Sequence, residues 1–134
     1  MAQSEHLPIY EKAYDFCLCV EQVVRGFSRY YEYTLGADLR DGARNVLKLI
    51  VRANSRRDKT PLLPEIREHV EELKVLLRLC QDVRAFPNFN SFEHAITEVI
   101  EIAKQNEGWL KSQTRGHGRN LRAMPTWPAT PSVP

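Results

Sequence analysis

An antiparallel up-down four-helix bundle, all-α, is the fold the sequence predicts, and three observations predict it. Three segments repeat their apolar residues at alternating spacings of four and three, the pattern of a helix seam, and a fourth sets an apolar arc opposite a basic stripe. Each segment is about 20 residues long, or roughly 30 Å as a helix. The breaks between them are short, which makes successive helices antiparallel neighbours. The 134 residues suffice for one domain with one ordinary core.

The first helix is expected over about 8–30. Ile9, Ala13, Phe16, Val20, Val23 and Phe27 form its seam, and Pro8 suits the first turn, where a missing N–H costs nothing. Tyr10, Tyr14, Cys17 and Val24 widen that face, so the helix has more than one packing neighbour. Gly26 weakens it near its end. From Arg25 to Gly36 the chain is at its most aromatic, with Arg25, Arg29, Tyr30, Tyr31 and Tyr33 interleaved. Two readings stay open for this stretch. Large aromatics near helix ends usually close a core; Arg and Tyr together could also stack on unpaired bases and contact phosphates.

The second helix, about 37–54, carries a ladder of charge. Arg40, Arg44, Lys48, Arg52 and Arg56 recur every fourth residue, and Arg57 and Lys59 extend the charge into the loop. Leu39, Ala43, Val46, Leu47, Ile50 and Asn54 occupy the opposite, mostly apolar arc. The cationic face is either a solvated or paired surface or a binding surface. Its obvious intramolecular partners are Glu65, Glu68, Glu71 and Glu72 in the first half of the third helix. That placement favours neutralisation near Arg52 and Arg56 and leaves Arg40 and Arg44 free.

The third helix, about 62–84, follows Thr60-Pro61, an N-cap and first-turn proline pair, although Pro64 shifts the regular helix later. Ile66, Val70, Leu73, Leu77 and Cys80 make its seam, broadened by Leu76, Leu79 and Val83. After Phe86–Ser91 breaks the pattern, Asn90 and Glu93 resemble a capping box. The fourth helix, about 91–113, reads Phe92, Ile96, Val99, Ala103, Asn106 and Leu110 along its seam. Asn106 is then either a buried polar group fixing register or a residue of the frayed end. Residues 114–134 change composition abruptly, with Arg115, Arg119 and Arg122, four prolines and no acid, and are expected to form a disordered cationic tail. Apolar residues beyond the minimal seams leave flanks for self-association.

Composition narrows the function. The net charge is +2, but residues 1–61 hold ten basic and eight acidic side chains, and residues 62–113 hold six and nine. The protein is polarised, so attraction for polyanions must come from local patches. No apolar run approaches the roughly 18 residues of a membrane span, and the first residues lack the layout of a secretory signal, so the expected compartment is the cytoplasm. Three cysteines, an odd number without zinc-site spacing, read as reduced core or near-core thiols. The four histidines pair with no cysteine or carboxylate at ligand spacing, no Glu-x-x-His answers the glutamates of the third helix, and no phosphate loop or nucleophile elbow is present. No metal, cofactor or catalytic residue is expected, and the protein is not expected to be an enzyme.

Particular strings go further. His6-Leu7-Pro8-Ile9-Tyr10, Tyr31-Glu32-Tyr33-Thr34-Leu35-Gly36, Leu49-Ile50-Val51-Arg52-Ala53-Asn54 with Asp58-Lys59, and Gly108-Trp109-Leu110-Lys111-Ser112 occur in order across residues 6–113. Together they resemble the accessory variability determinant (Avd) of diversity-generating retroelements, a family related to the four-helix-bundle proteins encoded by intervening sequences in bacterial 23S ribosomal RNA genes. The resemblance implies a ring-like homopentamer that binds the retroelement's reverse transcriptase and engages template RNA or cDNA through a positive surface, in support of mutagenic retrohoming. On that reading Arg25, Arg29, Arg40, Arg44, Lys48, Arg52, Arg56, Arg57 and Lys59 are the candidate contacts to nucleic acid or partner. The alternative is a ribosomal intervening-sequence-type bundle, an oligomer with no polymerase partner. If the ladder binds, charge reversal at Arg40, Arg44 and Lys48 should leave the fold intact and weaken association.

Overall fold

The computed structural model describes residues 7–120, with side chains as far as Gln113. Every regular element among them is helical: α1 (Pro8–Arg25), the single turn α2 (Arg29–Glu32), α3 (Leu35–Asn54), α4 (Leu63–Asp82) and α5 (Phe89–Asn120). The four long helices make the expected bundle. Each packs on two others, α1 on α3 and α5, α4 on α3 and α5.

Cross-helix contacts fix the up-down sense, because an early residue of one helix always meets a late residue of its neighbour. Glu21 near the end of α1 reaches Arg40 near the start of α3. Asn106, well along α5, donates to the carbonyl of Leu63 at the first turn of α4. Leu7, Pro8 and Ile9 at the start of α1 share a cleft with Gln105 and Trp109 of α5.

The α4 seam is where its periodicity puts it, and those of α1 and α3 are met in most positions: Phe16, Val20, Leu39, Val46, Ile50, Ile66, Val70 and Leu77 are buried. Each such side chain contributes roughly 1.5–3 kcal/mol of transfer free energy. In α1 the expected seam residue Val23 is only partly buried and Val24, expected as a flank, is buried in its place; in α3 Leu47 is likewise a flank and Leu49 is buried. The seam of α5 is displaced by one position from the expected one. Ala95, Val99, Ile102 and Asn106 are buried, whereas Phe92, Ile96, Ala103 and Leu110 are partly covered flanks. Both registers run four-three-four through Val99, and α5 is apolar enough to support either. The small Ala95 is the position that pairwise packing selects and sequence pattern does not.

Helix ends also differ from expectation, each for a local reason. α1 stops at Arg25 instead of near residue 30. Gly26 caps it, and Phe27 turns inward to pack edge-on against Phe86, with ring centroids 5.2 Å apart. A Cβ added at Gly26 would sit 3.2 Å from Pro87 Cγ, so the α4–α5 turn presses on this point. α4 begins at Leu63 with Pro64 in its first turn, and Thr60 is not its cap. Asn88, rather than Asn90, caps α5: its Oδ1 accepts from the Ser91 N–H at 2.8 Å, the N-cap to N3 geometry. α5 also continues past Gln113 to Asn120, into the stretch expected to be disordered; the rest of the expected tail, residues 121–134, lies outside the described residues.

Two backbone positions are under unusual constraint. Gly36, buried in the first turn of α3, leaves room for α1: an added Cβ would lie 2.6 Å from Val24 Cγ1. At the end of α4, Arg84 adopts a left-handed φ of 66°. The Ala85 N–H donates to Cys80 O at 2.8 Å and the Arg84 N–H to Gln81 O at 2.9 Å, the paired bonds of a Schellman stop with arginine where glycine is usual.

Two substitutions test these constraints by thermal or urea melts. Gly36→Ala should destabilise the protein by about 1–3 kcal/mol through overpacking. Arg84→Gly should stabilise it by about 1 kcal/mol by relieving the left-handed strain. Neutral effects at both sites would show that neither constraint is felt.

Candidate nucleic-acid interface

A four-residue repeat does not run straight along a helix of 3.6 residues per turn. At 100° per residue each step advances about 40°, so the four ladder cations on α3, Arg40 to Arg52, sweep roughly 120° around it, and Arg56 follows in the loop. The sweep starts on the flank facing α1 and runs toward the flank facing α4. Arg40 marks the α1 side through its contact with Glu21. The α4 side is marked by Gly42, where an added Cβ would meet Leu73 Cδ2 at 2.8 Å.

That sweep divides the ladder. Half-buried Arg40 donates through Nε to Glu21 Oε1 at 3.1 Å, and Arg44 Nη1 lies 3.5 Å from Glu21 Oε2 while its Nη2 contacts Asp41. Both are tied to carboxylates within the chain, the reverse of the sequence expectation that they would be the free ones. Their partner is on α1, whose position beside this flank no helix-by-helix reading supplies. Arg52 and Arg56, expected to be neutralised by α4, form no ion pair with Glu65, Glu68, Glu71 or Glu72. Because the Glu21 cluster is part exposed, each of its pairs contributes about 0–1 kcal/mol. Reversing Arg40 and Arg44 would therefore disturb an α1–α3 contact as well as a surface, and those two positions are not a clean test of binding.

Lys48, Arg52, Arg56 and Arg57 are exposed, and among the described residues none of their side chains has a carboxylate at ion-pair distance. They occupy the second half of α3 and the loop after it. Arg52 also suits the negative end of the helix dipole. The loop is held in shape: Asp58 Oδ1 accepts from the Thr60 N–H at 3.2 Å, and Lys59 Nζ donates to Arg56 O at 2.7 Å. Lys59 is thereby half-buried and committed to the loop. Arg25 and Arg29 are exposed at the opposite end of the bundle, about 30 Å away along a 20-residue helix. The nine candidate residues thus form three groups: an ion-paired one, a free cationic one with Lys59 behind it, and a distant arginine pair.

The aromatic stretch divides as well. Phe27 is buried and Tyr31 packs on the core, so half the stretch closes the bundle end. Tyr30 and Tyr33 are exposed.

Elsewhere the chemistry is structural. Burial pushes the thiols of Cys17, Cys19 and Cys80 up to about 11, and all three are unpaired. A cleft of about 360 Å³ between α4 and α5 is lined by Arg67, Lys74, Lys104, Asn106 and Glu107 among others. Two of its cations are already engaged. Arg67 donates to both oxygens of Glu107 at 2.7 and 2.8 Å, and Lys74 Nζ meets Glu71 at 2.8 Å. Hydrogen bonding from Arg67 holds the Glu107 carboxyl below its ordinary 4.5, more than offsetting its partial burial. Asn106, 1% exposed, is the buried polar group of the seam: Nδ2 donates to Leu63 O at 3.0 Å, and Oδ1 has no partner. No helix among the described residues is long and apolar enough to cross a membrane.

Fold and surface together define an all-helical bundle whose distinguishing feature is a free cationic end. A family profile described as bAvd-like matches residues 7–113, and the chain belongs to that family. The family is a non-catalytic accessory one. No curated protein matches the chain.

Glu107 gives a pH test. A carboxyl held low stabilises the fold at neutral pH and loses that contribution as pH falls through its folded value. Glu107→Gln should cost at most about 1 kcal/mol at pH 7, since the pair is exposed. The difference should shrink below pH 4.5, the ordinary carboxyl value. A cost unchanged between pH 7 and about pH 3.5 in urea melts would mean that charge is not its source. Asn106→Leu, which fills the site and removes the orphan oxygen, should cost less in the same melts than Asn106→Ala, expected at about 1–3 kcal/mol.

Proposed function

We propose that this protein is the accessory component of a diversity-generating retroelement, binding the reverse transcriptase and the template RNA or its cDNA to support mutagenic retrohoming in the cytoplasm. The observation that carries the reading is the free cationic group Lys48, Arg52, Arg56 and Arg57 on a bundle of the bAvd-like family. Arginines on a rigid helix contact successive phosphates without reading sequence, and no part of this role asks the protein for a reactive group. The protein works as a homopentameric ring. Repetition of one modest patch around the ring raises avidity without new contacts, which a chain of net charge +2 needs for a polyanion.

The test is fluorescence-anisotropy titration of template-repeat RNA over a range of salt. Reversing Lys48, Arg52, Arg56 and Arg57 together to glutamate should leave the helical circular dichroism unchanged and weaken binding at least about tenfold. The slope of log affinity against log salt should fall by roughly 0.7 for each single-strand phosphate that the variant no longer neutralises. Unchanged affinity and slope would make the ladder a solvated face and favour the polymerase-free, ribosomal intervening-sequence type of bundle.

A further inference from the structure

Arg25 and Arg29 stand apart from the cationic group, and the same end of the bundle holds the most exposed aromatic rings among the described residues. Tyr30 is 75% exposed, Tyr33 70% and Phe89 57%. Exposed apolar patches can mark interaction surfaces, and these three rings share one end of the bundle. They are also well anchored. Tyr30 packs edge-to-face on Tyr31 at 5.0 Å, and Tyr31 is seated on the core. Phe89 leans on Phe92, which contacts Phe86, which contacts buried Phe27. Thr34 Oγ1 donates to the Tyr30 carbonyl at 3.0 Å and so closes the end of α2, which carries Tyr30 and is capped by Tyr33.

Three exposed arginines lie on the segments that meet at this end: Arg25 at the end of α1, Arg29 at the start of α2 and Arg84 in the turn that presses on Gly26. Arg84 holds its place at a φ of 66°, where glycine would be unstrained. Among the described residues none of the three has an ion-pair partner. Exposed Asp82 and Glu93 nearby leave the local charge close to balanced, so charge alone gives this end little hold on a polyanion.

We propose that this end of the bundle is a stacking platform for unpaired bases of single-stranded nucleic acid, with Tyr30 and Tyr33 offering ring faces and Arg25, Arg29 and Arg84 the phosphate contacts. The platform rests on the nucleic-acid part of the proposed function and names the kind of strand it takes. Every base has a π-face, so stacking tolerates any sequence, whereas a paired base has no face to offer. A duplex therefore engages the cationic group on α3 alone. A strand with an unpaired segment engages both ends.

The test uses the full chain and two probes, a fluorescein-labelled unstructured RNA of about 20 nucleotides, long enough to span one bundle, and the same strand annealed to its complement. Tyr30→Leu with Tyr33→Leu should weaken single-strand binding about tenfold or more and duplex binding less than twofold. The single-strand effect should be equal at low and high salt, because stacking releases no counterions. Phenylalanine at both positions, which restores the ring faces, should recover the affinity. Arg84→Gly should raise the melting temperature yet weaken single-strand binding, a combination that a purely structural arginine does not give. Equal weakening for both probes, or none, would overturn the platform. So would an effect confined to association with a reverse transcriptase, which would make this end a protein-docking surface. If the leucine pair has no effect while the lysine and arginine reversals of α3 weaken binding, the platform alone fails; if neither set matters, the nucleic-acid reading fails with it.

Discussion

The division of charge on α3 depends on a mismatch of periods: cations repeat every four residues on a helix that turns every 3.6. A stripe built on that mismatch cannot keep to one face of a bundle. It starts against α1, where Glu21 receives Arg40 and Arg44, and drifts across the outer surface until Lys48, Arg52 and Arg56 have no carboxylate beside them. The same mechanism supplies a structural tie at one end and an available charge at the other. Neither needs a residue type that the other lacks.

Packing keeps that division in place. α3 can carry a cationic outer face because its inner face is fixed on both sides, by Gly36 admitting Val24 of α1 and by Gly42 admitting Leu73 of α4. At the far end Phe27, Phe86 and Phe92 are linked ring to ring, and Tyr30, Tyr33 and Phe89 are left facing water. The protein thus presents two chemically distinct ends about 30 Å apart, one of unpaired charge and one of rings and arginines.

Whatever depends on one helix at a time is legible in the sequence. The seam of α4 and most of the α1 seam and of the buried arc of α3 follow from spacing. What depends on a neighbour is not legible. The α5 seam passes through Ala95 and Ile102, since two registers share Val99 and only the facing helices choose between them. The end of α1 at Gly26 is decided by Pro87 and Phe86, about sixty residues on. The pairing of Arg40 and Arg44 with Glu21, the largest departure from the expected ladder, depends on which flank α1 occupies. The cap of α5 lies two residues before the expected one because Asn88 and Asn90 are chemically equivalent, and only the turn geometry tells them apart.

The bundle is thus proposed as an adaptor whose contacts are to a polymerase and its RNA, made through charge that the fold leaves unpaired. Native mass spectrometry of the protein co-purified with the reverse transcriptase of its own locus tests this most directly, with and without template-repeat RNA and at two salt concentrations. The expected result is one polymerase bound to several copies of this chain, stabilised by the RNA and dissociating as salt is raised. A homo-oligomer of constant mass that takes up neither polymerase nor RNA at either salt would contradict it.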